Sequence, residues 1–95
     1  MVYLHVNATV KDYDEWKADF ERYHSLRADF GGKGYQLYRT TEKSNEIVVV
    51  IEFESEQRAR EWTNYLKSQG ELLEPKMEAD VSYLELVEQK QVSAV

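Results

Sequence analysis

The chain has no cysteine, one proline, four glycines and two histidines in 95 residues. Without cysteine there is no disulfide, no thiol nucleophile and no thiolate ligand for zinc or an iron–sulfur cluster. Two isolated histidines with no paired spacing do not make a metal shell, so no metal site is expected. Basic residues are also scarce. Twelve Lys and Arg stand against eighteen Asp and Glu, a formal charge of −6. Nucleic acid and anionic membranes need a basic footprint, so neither is an expected partner. No long hydrophobic run occurs. Ile47 to Ile51 is too short to span a bilayer. The first residues lack a basic segment followed by an apolar one, so no signal peptide is expected and a cytoplasmic setting is.

What is present is an aromatic-rich globular composition. Seven Tyr, three Phe and two Trp accompany 42% hydrophobic and 32% charged residues. That is enough for one domain over residues 1–95, with an ordered core over about 2–88 and a tail over 89–95. Large amphipathic rings suit cores, pockets and interfaces alike.

The opening VYLHVNATV alternates apolar Val2, Leu4, Val6, Ala8 and Val10 with Tyr3, His5, Asn7 and Thr9, the pattern of a strand. Asp12 with Glu15 three residues on makes a capping-box-like start. The spacing of Tyr13, Trp16, Phe20, Tyr23, Arg27 and Phe30 predicts one helix over 13–30, ended by Gly31-Gly32. Residues 35–41 and 46–53 read as a hairpin. The five β-branched residues Ile47–Ile51 suggest a strand apolar on both faces. Ser55 caps a second helix over 56–69, with Ala59, Trp62 and Leu66 on its stripe and Tyr65 at one edge. Residues 72–77 read as a connector, and 81–87 as the fourth strand.

The order β-α-β-β-α-β is the ferredoxin-like, split-βαβ pattern of the α+β class. It predicts a four-stranded antiparallel sheet, the first and third strands central, with two helices on one face. The doubly apolar third strand then needs a cover on the other face. A second copy supplies it, giving a homodimer and a dimeric α/β barrel. The plainer alternative is a monomer with a mildly apolar open face.

The run Val10-Lys11-Asp12-Tyr13-Asp14-Glu15-Trp16-Lys17, followed by Phe20, resembles the first helix of the antibiotic biosynthesis monooxygenase-like superfamily of dimeric α/β-barrel proteins. Gly34 with Leu37-Tyr38-Arg39-Thr40, then Ile51-Glu52-Phe53-Glu54-Ser55, then Ala59 and Trp62, match in order. The resemblance implies a ligand cavity between sheet and helices in each subunit. It implies chemistry drawn from a varied set: cofactor-independent oxygenases, haem-degrading enzymes, isomerases and dehydratases. A shared fold does not choose among them.

The candidate catalytic residues are His5, a proton acceptor near neutral pH, and Asn7, an amide donor to a developing oxyanion. A first-strand Asn near this place is similar to one used by some haem-degrading members. The plainer reading of both is as satisfied polar groups in the dimer seam, or simply exposed ones. Candidate substrate-binding residues are Trp16, His24, Arg27, Tyr38, Trp62 and Tyr83. Trp62 is the best aromatic wall against a planar ligand, with core packing as its plainer role. Arg27 falls inside an aromatic stripe, where it either packs its stem and makes a salt bridge or clamps an anion. Arg39 would need a partner, and Glu52 or Glu85 could supply it. Resembling haem enzymes carry a ligand His beyond the second helix's Trp, and no histidine follows His24 here; no cofactor is expected.

The leading expectation is a small-molecule-binding homodimer acting as a cofactor-independent monooxygenase on a phenolic or other planar organic substrate. The alternatives are a non-catalytic binding or structural dimer, its pocket closed by Trp16, Phe20, Trp62 and Tyr65, and an isomerase or cyclase. The enzyme reading asks for a cavity of a few hundred Å³ onto which His5 and Asn7 open.

Overall fold

A computed structural model describes residues 1–72 and 76–92. Its elements are β1 (Val2–Val10), α1 (Tyr13–Arg22), α2 (His24–Asp29), β2 (Gly32–Arg39), β3 (Glu46–Phe53), α3 (Glu56–Ser68) and β4 (Met77–Glu85). The strands form one antiparallel sheet in the order β2-β3-β1-β4, with β1 and β3 central as the crossover rule requires.

The helix starts follow their capping residues. Asp12 accepts from Glu15 N at 3.0 Å, and Ser55 Oγ accepts from Arg58 N at 3.2 Å. The predicted first helix is two helices. Tyr23, at φ −85° and ψ 1°, separates them. The break falls in Tyr23-His24-Ser25, three residues of middling helical propensity. It lets the second segment re-aim Arg27 into the protein, where it is buried.

The exit from α2 needs both of its glycines. Gly31 has φ +98°, a left-handed conformation that side chains disfavour. At Gly32 a Cβ would stand 2.9 Å from the backbone oxygen of Arg27 and 3.1 Å from its Cγ. Gly32 is therefore the space into which Arg27 folds. The strand β2 begins here, earlier than expected, with an irregularity between Gly32 and Gly34. The strand β4 also begins early, at Met77, and ends at Glu85, not Val87. The predicted connector over 72–77 lies partly outside the described residues, as do the last three residues of the tail.

Period-two alternation places the core. Leu4, Val6, Ala8 and Val10 of β1 and Ile47, Val49, Ile51 and Phe53 of β3 are buried on the helix side, against Phe20, Ala59 and Trp62. Each such side chain contributes about 1.5–3 kcal/mol on burial. The opposite face carries Tyr3, His5, Asn7 and Thr9 from β1, opposed by Glu52, Val50, Val48 and Glu46 of β3. Val48 and Val50 are only half-buried there. Tyr38 and Leu84 on the same face are 53% and 44% exposed. The apolar run 47–51 thus splits between a closed core face and an open apolar face.

Candidate functional site

The sheet and helices enclose a cavity of about 60 Å³. Its floor is the buried face of β1 and β3. Its roof is the aromatic stripe that the spacing of α1 and α2 predicts: Trp16, Phe20, Tyr23 and then Arg27. Trp62 and Leu66 of α3 close one side, and Asp19, Glu71, Leu72 and Met77 the other. The rings pack in two groups, one around Trp16 and Phe20 and one around Trp62. Trp16 stacks on Phe20 at 5.1 Å, and Tyr23 meets Trp62 edge-on at 5.9 Å. Phe30 lies 5.2 Å from Trp62 and 5.4 Å from Tyr65.

Arg27 is the unusual member of this lining. It is 4% exposed. Its guanidinium lies 4.0 Å over the Phe20 ring and 5.3 Å from that of Tyr35. Nη1 donates to the Phe20 carbonyl oxygen at 3.3 Å. Nη2 is buried and has no partner among the described residues. Burial pushes the guanidinium's pKa down, while the Tyr35 phenol and Glu21 push it up by smaller amounts. A desolvated cation with an unsatisfied donor is costly unless an acceptor meets it. Its natural complement is an oxyanion.

The second polar feature stands at the cavity's edge. Lys76 Nζ lies 2.6 Å from Glu71 Oε1 and 3.2 Å from Asp19 Oδ2. Asp19 also pairs with Arg22. Burial opposes ionisation of Asp19, but the hydrogen bond and charge of Lys76, with Arg22, outweigh it and hold the carboxyl below its usual range. Lys76 is raised, chiefly by its hydrogen bond to Glu71, and only partly opposed by burial. Outside this ion pair lies an open cleft of about 300 Å³. Trp16, Asp19 and Met77 wall both spaces, and Lys76 lines the outer one.

Of the residues singled out from sequence, the structure brings Trp16, Arg27 and Trp62 together at this cavity. It does not bring the others. His5 and Asn7 lie on the open face, opposite Val50 and Val48, so they do not open onto the helix-side cavity. Tyr38 shares that open face, hydrogen-bonded to Gln36 at 3.0 Å. Tyr83 faces the helices, but its hydroxyl is engaged by Thr63 Oγ1 at 2.6 Å and its ring lies under Arg60. His24 is exposed and lines a separate hollow behind Arg27 with Lys33 and Tyr35. Arg39 takes neither expected partner: β2 is an edge strand, and its guanidinium sits 4.5 Å over Tyr13, while Glu52 accepts from the Tyr3 hydroxyl at 3.2 Å.

Sequence reasoning missed Asp19, Tyr23, Glu71, Leu72 and Met77 as lining residues. Asp19 had a signal, since it stands three residues after Trp16 on the same helical flank. Glu71 had none, because a turn sets its direction.

Among the described residues no cluster of His, Asp or Glu could hold a metal ion. The lining offers no imidazole, and 60 Å³ is far below the volume of a tetrapyrrole, so this cavity does not fit haem. No helix of the described residues is long and apolar enough to cross a membrane.

The sequence model of the antibiotic biosynthesis monooxygenase family matches residues 1–67. The chain belongs to that family. No curated protein matches it. Among solved structures it is similar to SnoaB, a cofactor-independent oxygenase from Streptomyces nogalater, with TM-score 0.73 and 17% identity over 96% of this chain and 94% of that one. It is also similar to a dimeric ferredoxin-like protein from an uncultured marine organism, with TM-score 0.70 and 13% identity over 94% and 97%. A third is a variant of MhuD with two manganese protoporphyrin IX molecules bound per active site, with TM-score 0.68 and 21% identity over 97% and 100%. At these identities the likeness to the three shows a shared fold.

Proposed function

We propose that the helix–sheet cavity binds a small planar phenol or hydroquinone as its anion, and that the protein is a monooxygenase needing no bound cofactor. The observation that supports this is Arg27 Nη2, buried and without a partner among the described residues, in a lining that is aromatic and aliphatic apart from Asp19 and Glu71. In that environment a guanidinium favours the ionised form of a hydroxyl set against it. A phenolate is far richer in electrons than the phenol. The substrate itself then supplies the electrons to O₂: one oxygen atom enters the ring to give a quinone, and the other leaves as water with the two displaced hydrogens. Trp16 and Trp62 hold the ring plane. SnoaB's description as a cofactor-independent oxygenase favours this chemistry over the others the scaffold supports.

The cavity is smaller than an aromatic ligand needs, since 60 Å³ falls well short of the few hundred usual for small-molecule sites. Binding therefore involves the adjoining cleft of about 300 Å³. The competing reading, a non-catalytic dimer with an aromatic-filled core, is favoured by the same small volume. Oxygen consumption with phenol, hydroquinone and naphthols, and incorporation of label from ¹⁸O₂, decide between them. Turnover is expected, with a loss of roughly 10- to 100-fold in Arg27→Gln, the worth of one hydrogen bond to a charged group. No uptake with any of these probes removes the oxygenase reading, and equal uptake by the variant removes Arg27 from it.

The open sheet face supports a homodimer. Val48, Val50, Tyr38 and Leu84 form its apolar part, and His5 and Asn7 sit in the proposed seam as paired polar groups. Sedimentation at high micromolar concentration tests it: a monomer there rules it out.

A further inference from the structure

We infer that Glu71 is the proton acceptor of this cavity and that Lys76 is the positioning residue that switches it on by leaving. The inference rests on the reading that a hydroxylated substrate binds beside Arg27. Glu71 is 8% exposed and lines the inner cavity, on the same wall as Leu72. Its backbone is fixed, with its N–H donating to the Leu66 carbonyl at 2.9 Å. The turn that carries it is held in a demanding conformation. Gly70 has φ +79°, and Leu72, unusually for a leucine, has φ +62°. Such a residue persists only where its surroundings impose it, and such sites cluster where function needs a fixed direction. Here the imposed turn points a carboxylate into an apolar lining.

The partner of that carboxylate is open to solvent where the carboxylate is not. The Lys76 side chain is 41% exposed, against 10% for Glu71. It reaches in from the outer cleft, bonding Glu71 and Asp19 together. The ion pair is therefore the partition between cleft and cavity. A ligand passing from one to the other displaces the ammonium outward. Glu71 is then left as a desolvated carboxylate facing Tyr23, with Asp19 and its Arg22 beside it and Arg27 on the far lining. Losing its cation while remaining buried raises its affinity for a proton. The substrate O–H bond breaks, the proton goes to Glu71, and the oxygen keeps the electron pair and is held by Arg27. Admission and activation are one movement: a substrate that does not part Lys76 from Glu71 does not meet a competent base.

The test needs no substrate in its first arm. The Glu71 side-chain carboxyl, labelled with ¹³C, is titrated by NMR in the wild type and in Lys76→Met, with near-ultraviolet circular dichroism confirming that both are folded. The Glu71 carboxyl resonance is expected to titrate at higher pH in Lys76→Met than in the wild type, as for a buried acid that loses an adjacent cation. An unchanged midpoint overturns the inference. Should Lys76→Met not fold, Asp19→Asn decides in its place. With Lys76 left to Glu71 alone, the midpoint is expected to fall, and a rise overturns the switch. In the second arm, Glu71→Gln is expected to keep tryptophan-detected binding of naphthol and to lose its oxidation. Wild-type turnover by Glu71→Gln removes Glu71 as the acceptor. Absence of turnover in the wild type instead counts against the oxygenase reading, while the titration still decides the switch.

Discussion

Replacing Arg27 by methionine separates a residue kept for packing from one kept for a ligand. Arg27 is almost wholly removed from solvent, at 4% exposure. Burying a charge costs several kcal/mol even after relaxation. Set against this are a hydrogen bond to the Phe20 carbonyl and the stack on Phe20. Those contribute about 1.5–3 kcal/mol and about 2 kcal/mol, respectively. Nη2 adds no hydrogen bond to any of the described residues. Gains and costs thus nearly cancel. Methionine keeps the stem that packs against Gly32 and the rings, and removes both the buried charge and the orphan donor. The expected result is a fold as stable as wild type, or up to about 2 kcal/mol more stable. In a domain of this size each kcal/mol is about 4–8 °C in Tm. Binding of phenolates, read by fluorescence of Trp16 and Trp62, is expected to fall roughly 10- to 100-fold in the same variant. Thermal and urea unfolding give the stability arm. A loss of more than about 2 kcal/mol would show that the guanidinium holds the fold together, and would refute the argument that it waits for an anion.

Gly32→Ala forces a methyl to within 2.9 Å of the Arg27 carbonyl oxygen, and is expected to destabilise by about 1–3 kcal/mol in urea unfolding, with Arg27→Met giving no relief because the clash is with backbone. Trp62→Ala, at the crossing of Tyr23, Phe30 and Tyr65, is expected to cost about 3–5 kcal/mol; retention of most stability in that variant would show that this aromatic group is not the core. The Asp19–Lys76 pair sets two pH limbs. The depressed Asp19 contributes stability above its unfolded value near 3.9 and loses it as pH falls through the lower folded value. The raised Lys76 contributes fully below its unfolded value near 10.4 and loses it as pH rises through the higher folded one. Asp19→Asn should therefore flatten the acid limb of stability against pH, and an unchanged limb would remove the pair from the account. Val48→Lys with Val50→Lys is expected to abolish self-association in sedimentation while leaving the monomer folded, since both side chains point away from the core.

Much of this fold is legible in the sequence because alternation and helical spacing carry it. VYLHVNATV fixes which side of β1 is buried without saying what the other side meets. The stripe Trp16–Phe20–Tyr23–Arg27 lists the roof of the cavity in order. Parity also explains which candidates lie away from the cavity. His5 and Asn7 have suitable chemistry, but they take the strand face opposite to Leu4, Val6 and Ala8, and it is those apolar residues that the helices cover. The missed break at Tyr23 changes no periodicity, because the two short helices keep nearly the same apolar stripe. Glu71 and Lys76 meet through a turn whose backbone angles no periodic pattern encodes.

The same parity argument explains why this chain's polar chemistry is divided between two places. On the helix side, β1 and β3 offer the cavity nothing but hydrocarbon, so the charged groups of its described lining come from the helices and the segment after α3: Asp19, Arg27 and Glu71. On the other side, β1 offers a phenol, an imidazole, an amide and a hydroxyl, set between the half-buried valines of β3 and the acids Asp80 and Glu78 of β4. A surface meant only for water has no use for Val48 and Val50 at its centre. A catalytic cavity meant to act through β1 would need polar residues at even positions, and the even positions are Leu4, Val6, Ala8 and Val10. The strand that first looked catalytic is thus better matched to recognition of another sheet. In the proposed function the burden of chemistry falls to Arg27 and Glu71, which α2 and a constrained turn bring to a cavity whose floor is hydrocarbon.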